Sequence, residues 1–233
     1  MMEHRQVEER SSSNPDVSIR KYAPGDIPAC ARLAKEAWPA NPAIASDESE
    51  RSGMEGYMEY SLSVSNWAEI AQTPEGVVGF LFGRIDNYPG RTVPKKSPMG
   101  ELSSILRSIF DHDREYLSNL RFVWSLALTE LKLKLLMPKS DTTIEMFIVA
   151  SKHRSMGIGS ELIGRFLNAA REAGSSLVTV YTDDRMSDWK YYEKRGFKKI
   201  GTFYDNMTSH YSGSDARGII FALDLKDGGK ENH

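Results

Sequence analysis

The stretch that most constrains this chain runs from Thr142 to Ala173: an apolar, β-branched segment (TTIEMFIVA), a glycine-containing loop (SKHRSMGIGS), then a segment of helical periodicity. Thr142–Ala150 shows almost no apolar–polar alternation, which predicts a central strand buried on both faces. After the loop, Leu162, Ile163, Phe166, Leu167 and Ala170 recur at helical spacing, and Gly174 supplies the stop. A second apolar strand over Leu177–Thr182 completes a β-α-β unit with parallel strands. In such a unit the loop's unpaired backbone N–H groups converge at the positive end of the helix, an arrangement that holds an anion. Gly157 and Gly159 let the backbone approach a pyrophosphate, and Arg154 adds a charge suited to phosphate. The spacing is neither GxxxxGK[ST] nor GxGxxG, which sets aside P-loop and dinucleotide readings. The residues alone define a phosphate site of unspecified kind.

Around that unit the chain reads as one elaborated domain. Val17–Tyr22 predicts a strand, and Ile27, Ala31, Leu33, Ala34 and Ala37 mark a helix. Gly53 and Gly56 weaken a second helix near Met54–Ser61. Trp67–Ala71 and Val77–Ile85 flank Pro74, Glu75 and Gly76 as a β-hairpin. Between Asp86 and Asp141 the pattern turns helical. Leu102, Ile105, Leu106, Ile109 and Phe110 form one apolar stripe, and a second helix spans about Leu117–Leu136. Residues 86–141 are therefore a helical insertion, whose stripe must be buried within the domain or in a homodimer contact. A short helix at Ser187–Arg195 and strands near Phe197–Phe203 and Gly218–Leu225 complete the domain over 17–227. Residues 1–16 and 228–233 are expected to be tails. The fold class expected is α/β, a mixed sheet flanked by helices.

Several partners are excluded. A formal net charge of −2 gives no broad positive field for nucleic acid. Cys30 is the single cysteine, so no intramolecular disulfide or multi-cysteine zinc site exists, and a cytoplasmic setting is expected. The histidines are scattered, and no metal site is expected; His153, beside the loop, reads as solvated. The polar N-terminal residues lack the apolar core of a secretory signal. The most apolar run, Leu120–Met137, is interrupted by Arg121, Glu130, Lys132 and Lys134, so no membrane span is expected.

The segment Arg154-Ser155-Met156-Gly157-Ile158-Gly159, in its strand–loop–helix context, resembles the R/Q-x-x-G-x-G/A coenzyme A loop of the GCN5-related N-acetyltransferase (GNAT) family. Further on, Tyr191-Tyr192-Glu193-Lys194-Arg195-Gly196-Phe197 resembles the family's second signature, an aromatic followed by Y-x-x-x-G-F. The matched block runs from about Ile144 to Phe203, and the order of elements over Val17–Ile85 is also similar. The insertion lies outside the resemblance.

The resemblance implies a centrally splayed sheet that takes acetyl-CoA, or another acyl-CoA, as co-substrate and transfers the acyl group directly to an amine. Backbone groups of Ile148 and Val149 would pair with the pantetheine arm. The loop Arg154, Ser155, Met156, Gly157, Ile158, Gly159 and Ser160 would hold the pyrophosphate. Tyr192 would protonate the departing thiolate, a task suited to a phenol, although an amphipathic core tyrosine would look the same in sequence. Glu145 would take the proton of the amine, or would be a structural or edge charge. The family commonly carries an asparagine near the start of the helix before the tyrosine. Here Asp183, Asp184 and Ser187 stand in that region, and helix capping is their preferred reading. Trp124, Trp189, Phe203 and Tyr204 are candidates for an acceptor pocket or for core. A small-molecule amine is preferred to a protein as acceptor; a protein N-acetyltransferase and a non-catalytic acyl-CoA sensor are the alternatives.

Overall fold

The computed structural model describes residues 17–39, 47–90, 93 and 116–226. The apolar stripe expected at Leu102–Phe110 lies outside the described residues, as do the two expected tails, 1–16 and 228–233. Seven strands form one sheet: β1 (Ser18–Lys21), β2 (Trp67–Thr73), β3 (Gly76–Ile85), β4 (Thr142–Val149), β5 (Leu177–Asp183), β6 (Lys198–Tyr204) and β7 (Arg217–Asp224). Their order is β1-β2-β3-β4-β5-β7-β6. The helices are α1 (Ile27–Ala37), α2 (Asp47–Val64), α3 (Tyr116–Leu136), α4 (Ile158–Glu172), α5 (Lys190–Lys194) and α6 (Asn206–Ser212). The mixed α/β class holds, and β4 occupies the sheet's centre. The helix expected near Met54–Ser61 runs longer than its glycines suggested, because its Met54, Met58 and Leu62 are buried and packing outweighs propensity.

The two faces have separate cores. Cys30, Ala34, Met58 and Leu62 of α1 and α2 pack with Phe80, Phe82, Met146 and Ile148. On the other face Leu162, Phe166 and Ala170 of α4 pack with Trp67, Leu81, Ile144 and Val180. Buried Glu69 on β2 accepts from Arg165 of α4 at 2.5 and 3.0 Å, a bidentate pair that fixes the helix's rotation on the sheet.

β4 departs from the strand predicted. Its residues alternate between buried and half-buried, so it is not buried on both faces. The register against β3 slips between Phe82 and Gly83, where Met146 and Ile144 are the successive partners, leaving Glu145 as the extra residue of a β-bulge. The bulge resets the alternation: Ile144 faces the α4 core, whereas Met146 and Ile148 face the α1–α2 core. Beyond it the sheet opens. β4 pairs in parallel with β5 only at Thr142, Thr143 and Ile144, opposite Val178, Thr179 and Val180. Tyr181–Asp183 continue paired to β7 alone, so Glu145–Val149 have no strand on that side. This is the central splay.

Candidate functional site

Each side of the splay carries one group of the expected residues. On the α4 side, β4 ends at Val149 and the chain makes one 3-10 turn at Ser151–His153 before reaching α4. Ala150 N–H donates to Val78 at 2.8 Å, so strand alternation turns the backbone of Ile148 toward β3 and that of Val149 toward the opening. The Val149 carbonyl accepts from Arg154 Nε at 3.3 Å on that open side. Ser155 and Gly157 have positive φ, 64° and 84°, which coils the loop so that Gly157 caps α4. Glu161 N–H closes the first helical bond on Gly157 at 3.0 Å, leaving the N–H groups of Ile158, Gly159 and Ser160 without a protein acceptor among the described residues.

The two glycines serve different needs. A Cβ on Gly157 would meet no atom within 4 Å, so this position faces open space and glycine is required by φ. A Cβ on Gly159 would lie 3.2 Å from Phe147 Cζ and 3.4 Å from Tyr191 Oη, so glycine here lets α4 close on β4 and α5. Free N–H groups, an open cradle at Gly157 and the Arg154 guanidinium fit a pyrophosphate. Met156 is exposed at the loop tip, and the Ile158 side chain is buried core, so Ile158 offers only its backbone.

Tyr192 of α5 is buried against Phe197 and Phe221, with ring centroids 5.6 and 5.8 Å away. Burial pushes its phenol well above the ordinary value, so the group stays protonated. Tyr191 bridges toward β4 through Phe147, at 5.5 Å between centroids, and its hydroxyl is buried without a hydrogen bond among the described residues. Arg195, not among the residues expected at the site, lies over the Tyr191 ring at 5.2 Å and donates to the Ser160 hydroxyl in the first turn of α4. The spacing of Tyr191 and Arg195 by four residues on a helix was the available signal. His153 is half-buried, and its Nδ1 is buried without a hydrogen bond, unlike the solvated side chain expected.

On the opposite side Glu145 opens into a cavity of about 810 Å³ between the sheet, α2 and α3. Its carboxyl accepts no hydrogen bond from the described residues. Burial pushes its pKa from the ordinary 4.5 up to about 7; the Arg84 charge opposes the rise and Glu130 adds to it. Tyr57 and Tyr60 of α2 and Tyr181 of β5 supply the aromatic wall. The sequence reading missed all three, and Trp124, Trp189, Phe203 and Tyr204 do not line the cavity. Trp124 and Tyr204 are exposed, while Phe203 stacks on Tyr181 at 5.8 Å. Tyr181 donates to Asp205, a fully buried carboxylate that also accepts from Thr129 Oγ1 and Thr208 N–H, both at 3.1 Å. Asp205 thereby ties α3 and β5 to α6 as that helix's N-cap. Asp183 accepts from Arg185 and Met186 N–H and from Ser187 Oγ, which closes a turn after β5 and is not the helix cap expected: the N-cap of α5 is Trp189, with no side-chain cap bond.

Residues 119–197 match the family described as Acetyltransferase (GNAT). That segment is similar to GNAT acetyltransferases. The match begins inside α3, so it reaches into the insertion that the sequence reading had left outside the resemblance. No curated protein matches by sequence. Among solved structures, a GNAT-family protein from Desulfovibrio desulfuricans shares 14% identity at TM-score 0.51, covering 89% of this chain and 98% of its own. The ribosomal-protein-S18-alanine N-acetyltransferase of Escherichia coli shares 12% at TM-score 0.51, covering 93% and 99%. Agmatine N-acetyltransferase shares 12% at TM-score 0.51, covering 90% and 100%. These likenesses establish the GNAT fold. Among the described residues no cluster of His, Cys, Asp or Glu could hold a metal ion, and no helix is long and apolar enough to cross a membrane.

Proposed function

We propose that this protein is a GNAT-type, acyl-CoA-dependent N-acyltransferase, with acetyl-CoA as donor and a small-molecule amine as acceptor. The observation that carries the proposal is the splay between β4 and β5, with a phosphate-type loop on one side and a carboxylate of raised pKa in a cavity on the other. The donor supplies an activated thioester carbonyl. The N–H groups at the start of α4, with Arg154, hold its pyrophosphate. Val149, whose backbone faces the opening, pairs with the pantetheine arm. Ile148 shares that strand but turns its N–H and C=O toward β3.

An amine arrives protonated and must lose a proton before it can attack. With a pKa of about 7, Glu145 is close to half ionised at neutral pH and can accept that proton. As the C–N bond forms and the C–S bond breaks, the negative charge moves to sulfur. The Tyr192 phenol, kept neutral by burial, donates its proton there and regains one from solvent. Positioning supplies most of the acceleration, and no covalent acyl-enzyme is required. Cys30 takes no part: its thiol, on the buried face of α1, is fully buried and pushed up to about 12. A lone buried thiol also fits the expected cytoplasmic setting.

The binding half of the proposal is tested by titrating coenzyme A into the wild type and Gly157→Glu in a calorimeter. The wild type is expected to bind at micromolar or tighter concentrations, and the variant to lose at least about tenfold. A wild type that takes up no coenzyme A would refute it.

A further inference from the structure

One face of α3 is apolar and stands in water. The other side of the helix is fastened to α6. Thr129 Oγ1 donates to Asp205 and accepts from Met207 N–H, both at 3.1 Å. Lys132 Nζ donates to the Tyr204 carbonyl at 2.7 Å and to Asn206 Oδ1 at 2.6 Å. Turned away from those contacts, Trp124, Leu128, Leu131 and Leu135 recur at steps of four, three and four, the spacing of a two-helix seam. Trp124 is 67% exposed, Leu131 52% and Leu135 74%, while Leu128 is half-buried. Such a row on a helix interior to a sequence of ordinary composition calls for a partner.

The chain's own apolar stripe, Leu102–Phe110, reaches only part of this face. As the helix its spacing predicts, its nine residues span about 14 Å. Turned back at residues 111–115, it lies alongside the first nine residues of α3, which end at Trp124. Leu131 and Leu135 sit further on by roughly 10 and 16 Å along the helix. With Leu128 and Ala127, the exposed row amounts to roughly 400 Å² of apolar surface, close to the apolar share of a contact that buries about 800 Å² per copy. Laid antiparallel on itself, the row is also self-complementary, as a twofold contact requires. Trp124 then meets Leu135, Leu128 meets Leu131, and Lys134 falls opposite Ser125 rather than another lysine.

We propose that this face of α3 is a homodimer interface, formed by antiparallel pairing with α3 of a second copy. Leu131 also lines the cavity into which Glu145 opens, so the contact adjoins the mouth of that cavity. The pairing does not depend on the acyltransferase reading.

The test is sedimentation equilibrium of the full chain over about 1–100 μM, which needs no turnover. The wild type is expected to give twice the chain mass of 26.2 kDa. Leu135→Glu and Trp124→Lys each put a charge into the contact twice over, and each should weaken association at least about 100-fold, leaving monomer. Both side chains are exposed in a single copy, so the circular-dichroism melt of the monomer should not fall. Mixing the two variants should restore a dimer, because the introduced charges then face each other across the seam. A wild type that is monomeric at about 100 μM, a dimer unchanged by Leu135→Glu, or a mixture that stays monomeric would overturn the proposal. A monomeric wild type whose melt falls in Leu135→Glu would overturn it too, and would assign the face to a segment of the same chain.

Discussion

Glu145 is placed by a backbone irregularity and tuned by its surroundings. As the bulge residue of β4 it faces the cavity, and burial sets its pKa at about 7. If it takes the acceptor's proton, log kcat/KM should rise with pH and level off above about 7, a limb that Glu145→Gln abolishes along with most of the rate. The same shift bears on stability with the opposite sense. The folded state binds the Glu145 proton more tightly than the unfolded chain, so stability is greatest below about 4.5 and is lost as pH rises to about 7. Glu145→Gln should therefore stabilise the fold at pH 8 by up to about 3 kcal/mol relative to its effect at pH 4.5, read from denaturant midpoints. A variant equally stable relative to wild type at both pH values would contradict the assigned burial. Sequence identified this glutamate as a base or a structural charge, but the bulge that turns it into the cavity depends on pairing with β3, some sixty residues earlier.

Among the elements, α4 begins at the loop that the proposal assigns to the donor, and its seating on the sheet relies on a small residue. A Cβ at Gly83 of β3 would lie 2.4 Å from Phe166 Cε2 and 2.9 Å from the Thr143 carbonyl. Gly83→Ala should lower stability by about 1–3 kcal/mol through overpacking, and Tm by several degrees. A Tm equal to wild type would show that α4 does not sit this close. The loop, helix and flanking strands were legible because their signals are local: apolar strand, glycines at Gly157 and Gly159, helical spacing, and a stop at Gly174. Helix α6 was missed, although Asp205 three residues before Thr208 and Gly213 with φ 70° past the end are a start and a stop of the ordinary kind. The pair of buried Glu69 with exposed Arg165 joins residues 96 apart, and nothing in either neighbourhood announces it.

At the scale of the whole molecule, one sheet separates two chemistries. The phosphate loop could be read from six consecutive residues, whereas the cavity gathers Tyr57, Glu130, Glu145 and Tyr181 from four distant elements. That difference explains why the donor side was legible in the sequence and the acceptor's aromatic wall was not. The account joins both sides through the splay, with Tyr192 acting on the thiolate. The most direct test follows free thiol release from acetyl-CoA with an amine panel, for wild type and Tyr192→Phe at matched folding by circular dichroism. Amine-dependent release that falls about 10- to 1000-fold in kcat, with little change in coenzyme A affinity, is the predicted result. Release from no amine, or the same kcat in Tyr192→Phe, would contradict it.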